Sequence, residues 1–155
     1  MSRLLSAKPP TLPILLLLFA AFSCSHSQRA PASNSGPPAF LLGEFVDDYG
    51  IGYRITRSEW TQLPRARYRV VEWNVQSRYL IAQNHSDNPS DGGLWTRIDW
   101  VELPNMPPHR WAFCMAAYDA ASAQQAKQAT VAQGEQPKTG CSGFPYSRMR
   151  PASTK

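Results

Sequence analysis

The chain has 155 residues with 14 prolines and a formal net charge of +5, room for one domain and no more. Hydrophobic residues make up 43%, enough for a single core. The positive balance is spread along the sequence, without the stripe or patch that nucleic-acid binding requires, so no nucleic-acid partner is expected.

Arg3 and Lys8 make a positive start, and residues 12–22 form an apolar run, LPILLLLFAAF. Its length suits the h-region of a secretory signal and falls short of the about 20 residues that cross a bilayer. Ala21-Phe22-Ser23-Cys24 follows. This stretch resembles the bacterial lipobox, with Ala21 where leucine is usual and bulky Phe22 where a small residue is usual. The resemblance implies a signal peptide over 1–23, acylation of Cys24 and a membrane anchor. Ser25 follows the cysteine, where inner-membrane retention usually takes aspartate, so it also implies an outer-membrane lipoprotein facing the periplasm. The alternative is an ordinary signal cleaved nearby, which leaves a secreted or periplasmic chain. Three cysteines are an odd number, and giving Cys24 to lipid leaves an even pair.

Residues after Cys24 up to Ala39 (SHSQRAPASNSGPPA) carry almost no large apolar side chain and read as a disordered tether. A single β-rich domain is expected over 40–150, with a flexible tail over 151–155. Its strands come in order. Tyr53 to Arg57 alternates. Arg67 to Val75 is rich in β-branched and aromatic residues, and its alternation slips at Val70-Val71, where a bulge is expected. Arg78 to Asn84 is a third run. The turn-forming stretch from His85 to Gly93 then separates it from Leu94 to Leu103. In that strand Leu94, Thr96, Ile98 and Trp100 share one face, and Trp95, Arg97, Asp99 and Val101 share the other. Pro104 to Pro108 stops it, and Arg110 to Tyr118 is a last central strand.

A helix is expected over about 119–132, capped by Asp119 and stopped by Gly134, because Ala120 to Ala132 is mostly alanine and glutamine. Five or so antiparallel strands and one C-terminal helix give an α+β, mainly β class, as a small sheet or a partly open barrel. Gly43-Glu44-Phe45 resembles the Gly-x-Trp opening of the lipocalins, with Phe45 in place of tryptophan. That resemblance implies a barrel holding a small apolar ligand.

Export favours oxidation of Cys114 and Cys141 to each other. The bridge would tie the helix and the C-terminal segment to the sheet, and closing about 28 residues contributes about 3.5 kcal/mol in the chain-entropy account. No cofactor or metal site is expected. The loop from Asp87 to Gly92 resembles a calcium loop only briefly, since Pro89 and Ile98 occupy liganding positions. Asp47-Asp48 reads as a hydrogen-bonded turn, because neighbours on a strand point to opposite faces. His26, His85 and His109 lie beside no recognisable nucleophile, so no catalytic residue is assigned. Arg97 and Asp99 could orient a polar ligand while Trp95 stacks on it, with Trp73 and Trp111 in the same aromatic wall or in the core.

Three functions follow in order. The first is a non-catalytic, lipid-anchored envelope protein that binds a small molecule or another envelope component. The second is a structural or interaction protein without a pocket. The third, an envelope hydrolase, comes last for want of a catalytic constellation.

Overall fold

A computed structural model describes residues 36–153; the signal, Cys24 and most of the tether lie outside the described residues. A short 3-10 turn at Ala39–Leu41 leads into eight strands: β1 (Gly43–Asp47), β2 (Gly52–Ile55), β3 (Glu59–Gln62), β4 (Ala66–Asn74), β5 (Tyr79–Asn84), β6 (Trp95–Glu102), β7 (Trp111–Ala120) and β8 (Ser147–Pro151). One helix, α1 (Ala123–Lys127), lies between β7 and β8. Each strand pairs antiparallel with the next, and β8 returns to β1, which closes a barrel. The fold is therefore mainly β with one short helix, as expected, and the sheet closes into a barrel where a small sheet or a partly open barrel was the expectation. Closure leaves no free sheet edge.

The strand count exceeds the five expected because β1, β3 and β8, each four or five residues long, are not among the runs read from the sequence. β3 carries one fully buried side chain, Trp60. β8 sits in a stretch dense in turn residues and buries only Met149 completely. Pro151 belongs to β8, and the Ala152 amide donates to Glu44 O at 2.9 Å. The segment expected to trail from 151 thus begins as part of the β1–β8 ladder. The bulge anticipated at Val70-Val71 is present, with register shifting between Val70 and Glu72.

Period-2 alternation sorts the side chains. Inward positions supply Phe45, Tyr53, Ile55, Trp60, Tyr68, Val70, Leu80, Ala82, Ile98, Trp100, Trp111, Phe113 and Met149, all in one cluster. Trp60 and Trp111 meet edge to face at 5.9 Å, and each meets Phe113, at 5.1 and 6.3 Å. These rings fill the barrel, as side chains do in small eight-stranded barrels. Outward positions of β5, β6 and β7 are covered by residues 121–146. Ile81, Ala120 and Ala126 form one outer cluster, and Val101, Leu103, Ala112, Cys114 and Tyr146 form another.

The helix is shorter than 119–132 and starts later. Asp119 and Ala120 are consumed by β7, and the N-cap is Ser122, whose Oγ accepts from Gln125 N at 3.1 Å. Gly134 does not stop it; the chain leaves helical geometry after Lys127. Instead Gly134 lets the backbone lie against Val101, since a Cβ there would come within 2.6 Å of Val101 Cγ1. Cys114 and Cys141 form the disulfide, with Cα atoms 5.5 Å apart, and it fastens this returning segment to the outside of β7.

Candidate functional site

The β6 residues singled out by sequence occupy the outer wall, beneath the returning segment. Arg97 Nε and Nη2 each lie 2.9 Å from Asp99 Oδ1, and the two side chains are 4% and 6% exposed. Arg97 Nη1 donates to Lys127 O at 2.8 Å, and its guanidinium lies 4.2 Å from the Tyr79 ring centroid. Asp99 Oδ2 accepts from Ala132 N at 3.1 Å. Burial holds the Asp99 carboxyl above the usual carboxylate range, against the opposing pull of the Ala132 amide and of Arg97. The pair thus spends its hydrogen bonds on the backbone that covers it.

The predicted aromatics do not share one wall. Trp95 is half-buried on the outer face against Ile81 and Ala126. Trp111 is completely buried inside the barrel. Trp73 packs on Trp100 at 5.9 Å from the inner side, and its Nε1 donates to Arg57 O at 2.8 Å. The structure joins Arg97 to Asp99 and separates Trp95 from Trp73 and Trp111 by the sheet itself.

A concave site forms instead at one end of the barrel. The turns after β1, β3 and β5, together with the β7–β8 connection, all lie at this end, because consecutive strands alternate in direction. The chain enters at the other end. Between them the mouth residues enclose about 330 Å³, lined by Asp47, Tyr49, Ile51, Tyr53, Gln62, Phe113, Met115, Tyr118 and Ser147 with Cys114, Cys141 and Pro145. Tyr49 and Tyr118 are 67% and 55% exposed, with Phe144 nearby in the connection at 71%.

The floor of the mouth is polar and tightly ordered. Asp47 is the last inward residue of β1. Its Oδ1 accepts from Tyr49 N at 2.9 Å and Ile51 N at 2.8 Å, and its Oδ2 accepts from Tyr53 Oη at 3.0 Å. This is the hydrogen-bonded turn anticipated for Asp47-Asp48. Asp48 points outward, where it accepts from the Arg148 amide and from Arg148 Nε at 2.8 Å. Burial, then Asp47, pushes the Tyr53 phenol far above its ordinary pKa. Deeper polar residues extend the layer: Thr96 Oγ1 donates to Asn84 Oδ1 at 2.6 Å, and Asn84 Nδ2 donates to Tyr118 O at 2.8 Å. Of these residues, sequence reasoning singled out Asp47 only as part of a turn. The available signal was a polar residue at the end of an otherwise apolar inward row, as at Asp47, Asn84 and Thr96.

Other clefts are less defined chemically. One of about 640 Å³ lies at the opposite end, where Phe40, Leu103, Pro104, Pro107 and Pro108 meet His109 and Arg110. Another, about 400 Å³, runs between β6 and the returning segment and includes Asp99, Glu102, Glu135 and Tyr146. In the β5–β6 loop, Asn88 Oδ1 accepts from Arg67 N at 2.8 Å and its Nδ2 donates to Arg67 O at 2.9 Å, so the supposed calcium-like loop is held as a strand connection. His85 approaches Asp87 and Arg67 on this exposed loop. Ser86 Oγ donates to Asp87 Oδ1 and makes no bond to the imidazole.

No family model, curated protein or solved structure matches this chain.

Proposed function

We propose that the chain is an exported envelope protein anchored by a lipid on Cys24, and that its barrel is a non-catalytic binding module which takes its ligand at the mouth. The observation that carries this reading is the contrast between the filled interior and the concave mouth. Among the described residues the barrel interior is packed with aromatic side chains, whereas barrel mouths are favoured ligand sites. Tyrosines 49 and 118 offer exposed ring faces there, and Asp47, Gln62 and Ser147 offer polar atoms. The lipobox-like Ala21-Phe22-Ser23-Cys24, the polar tether and the disulfide all suit an oxidising compartment outside the cytoplasm.

A second reading draws on Tyr49, Tyr118 and Phe144, exposed aromatic side chains suited to a protein partner in the envelope. Native mass spectrometry of the full chain extracted from its own membranes separates the readings. The first expects a chain starting at Cys24 with acyl chains and a small adduct lost on denaturation, absent from Tyr118→Leu. A co-extracted protein partner in its place supports the second. An unacylated chain starting elsewhere would overturn the anchor.

A further inference from the structure

The mouth has an electrostatic character that narrows its ligand. Asp47 is 3% exposed, yet none of the ion pairs among the described residues includes it. Its charge is met by two backbone amides and one phenol. Its neighbour Asp48 pairs with Arg148. Among the described residues, no arginine, lysine or histidine lines the cleft. A buried carboxylate without a cation is costly, and hydrogen bonds from neutral donors offset only part of that cost. The site would therefore repel a phosphate or carboxylate and welcome a positive charge. Tyr49, Tyr53, Phe113 and Tyr118 line the same cleft as this carboxylate, and the Tyr53 phenol bonds it directly. Aromatic faces attract cations through their quadrupoles, and tyrosine-walled cages with a carboxylate suit quaternary ammonium groups in particular.

We infer that the mouth binds a small organic cation, with its ammonium group lodged among Tyr49, Tyr53 and Tyr118 above the Asp47 carboxylate. This rests on the mouth being the binding site and adds the class of ligand. The cleft, at about 330 Å³, accepts a molecule of that kind with room for a short polar extension toward Gln62 and Ser147. A neutral sugar would also find rings to stack on, but it would leave the carboxylate without a counter-charge.

The test uses the full chain in detergent micelles, ¹⁵N-labelled, titrated with choline chloride and with its uncharged carbon isostere dimethylbutanol at constant ionic strength. Choline is expected to shift the amides of Tyr49, Ile51, Tyr53 and Tyr118, and the isostere to bind about tenfold more weakly or worse. Asp47→Asn should cost choline about tenfold in affinity and leave the isostere unaffected. Tyr118→Leu, at an exposed position that does not endanger folding, should weaken choline and serves if Asp47→Asn does not fold. Equal binding of both probes, insensitive to Asp47→Asn, would overturn the cation inference and leave the mouth as a site for neutral ligands. If neither probe moves a mouth resonance, the inference fails and the mouth loses its support as the site.

Discussion

At the scale of single residues, the informative groups are polar ones placed where water does not reach. The Arg97–Asp99 pair is bonded on nearly every side, so removing one partner strands the other. Arg97→Ala should cost about 3–5 kcal/mol, and replacing both with leucine should recover much of that, because a buried ion pair is seldom better than well-packed apolar side chains. Urea unfolding of the two variants checks this. Tyr146 is a different case. Its hydroxyl is buried without a partner among the described residues, and burial, followed by Asp99 and Glu135, pushes its pKa up to about 12. Tyr53 and Tyr68 are raised as well, chiefly by burial. A phenol whose folded pKa is raised keeps its proton where the unfolded chain has lost it. Stability is then intact below about pH 10, the unfolded value, and falls as pH rises through the folded one. Unfolding measured from pH 7 to 11 should show that alkaline decline. Tyr146→Phe should make it shallower, and at pH 7 should leave stability unchanged or raise it by about 1 kcal/mol, since the hydroxyl has nothing to lose. A marked loss at pH 7 would mean the hydroxyl is bonded in solution.

At the scale of elements, the strands with clear alternation or strong patterns were legible, and β1, β3 and β8 were not. β4, β5, β6 and β7 carry long runs of β-branched and aromatic residues, and even the bulge after Val70 showed as a slip in alternation. β3 and β8 are four and five residues long, and they are strands because their neighbours pair with them. No local pattern in Ser147–Pro151 competes with the glycines and prolines before it. The helix shows the reverse error. Alanine and glutamine are permissive from 120 to 132, but propensity is a weak prior, and the ladder with β6 claims Asp119 and Ala120 first. Burial under the tie to Cys141 then shapes the rest. This makes the returning segment dependent on its fastenings: one disulfide, the Arg97 and Asp99 bonds to Lys127 and Ala132, and the ion pair of Lys127 with Glu72. Cys114→Ser/Cys141→Ser should cost about 3 kcal/mol. It should also open new proteolytic sites within residues 121–146 before the barrel itself is cut. Simultaneous digestion of barrel and segment would show that the two unfold together.

At the scale of the molecule, closure divides the chain into a packed interior, a polar mouth and a covered outer wall, and that division is what the sequence hides. Trp95, Trp73 and Trp111 look alike as aromatic residues on strands; only the closed sheet sends Trp95 outward and Trp111 inward. The mouth is assembled from the ends of β1, β2, β3, β7 and β8, between Asp47 and Ser147, and no local motif spans that separation. The same division yields a double dissociation. Trp111 is fully buried in the ring cluster beneath the mouth, so Trp111→Phe should lower stability by about 1–3 kcal/mol through lost packing. Choline affinity, measured well below the melting temperature, should stay the same if choline binds at the mouth as proposed. Tyr118→Leu should do the opposite: stability within about 0.5 kcal/mol of the parent, as for most exposed sites, and clearly weaker binding. If the interior were the site, the cavity opened at Trp111 would change affinity and the rim substitution would not. Thermal melts and choline titrations on the two variants therefore test whether the proposed site is the mouth or the interior.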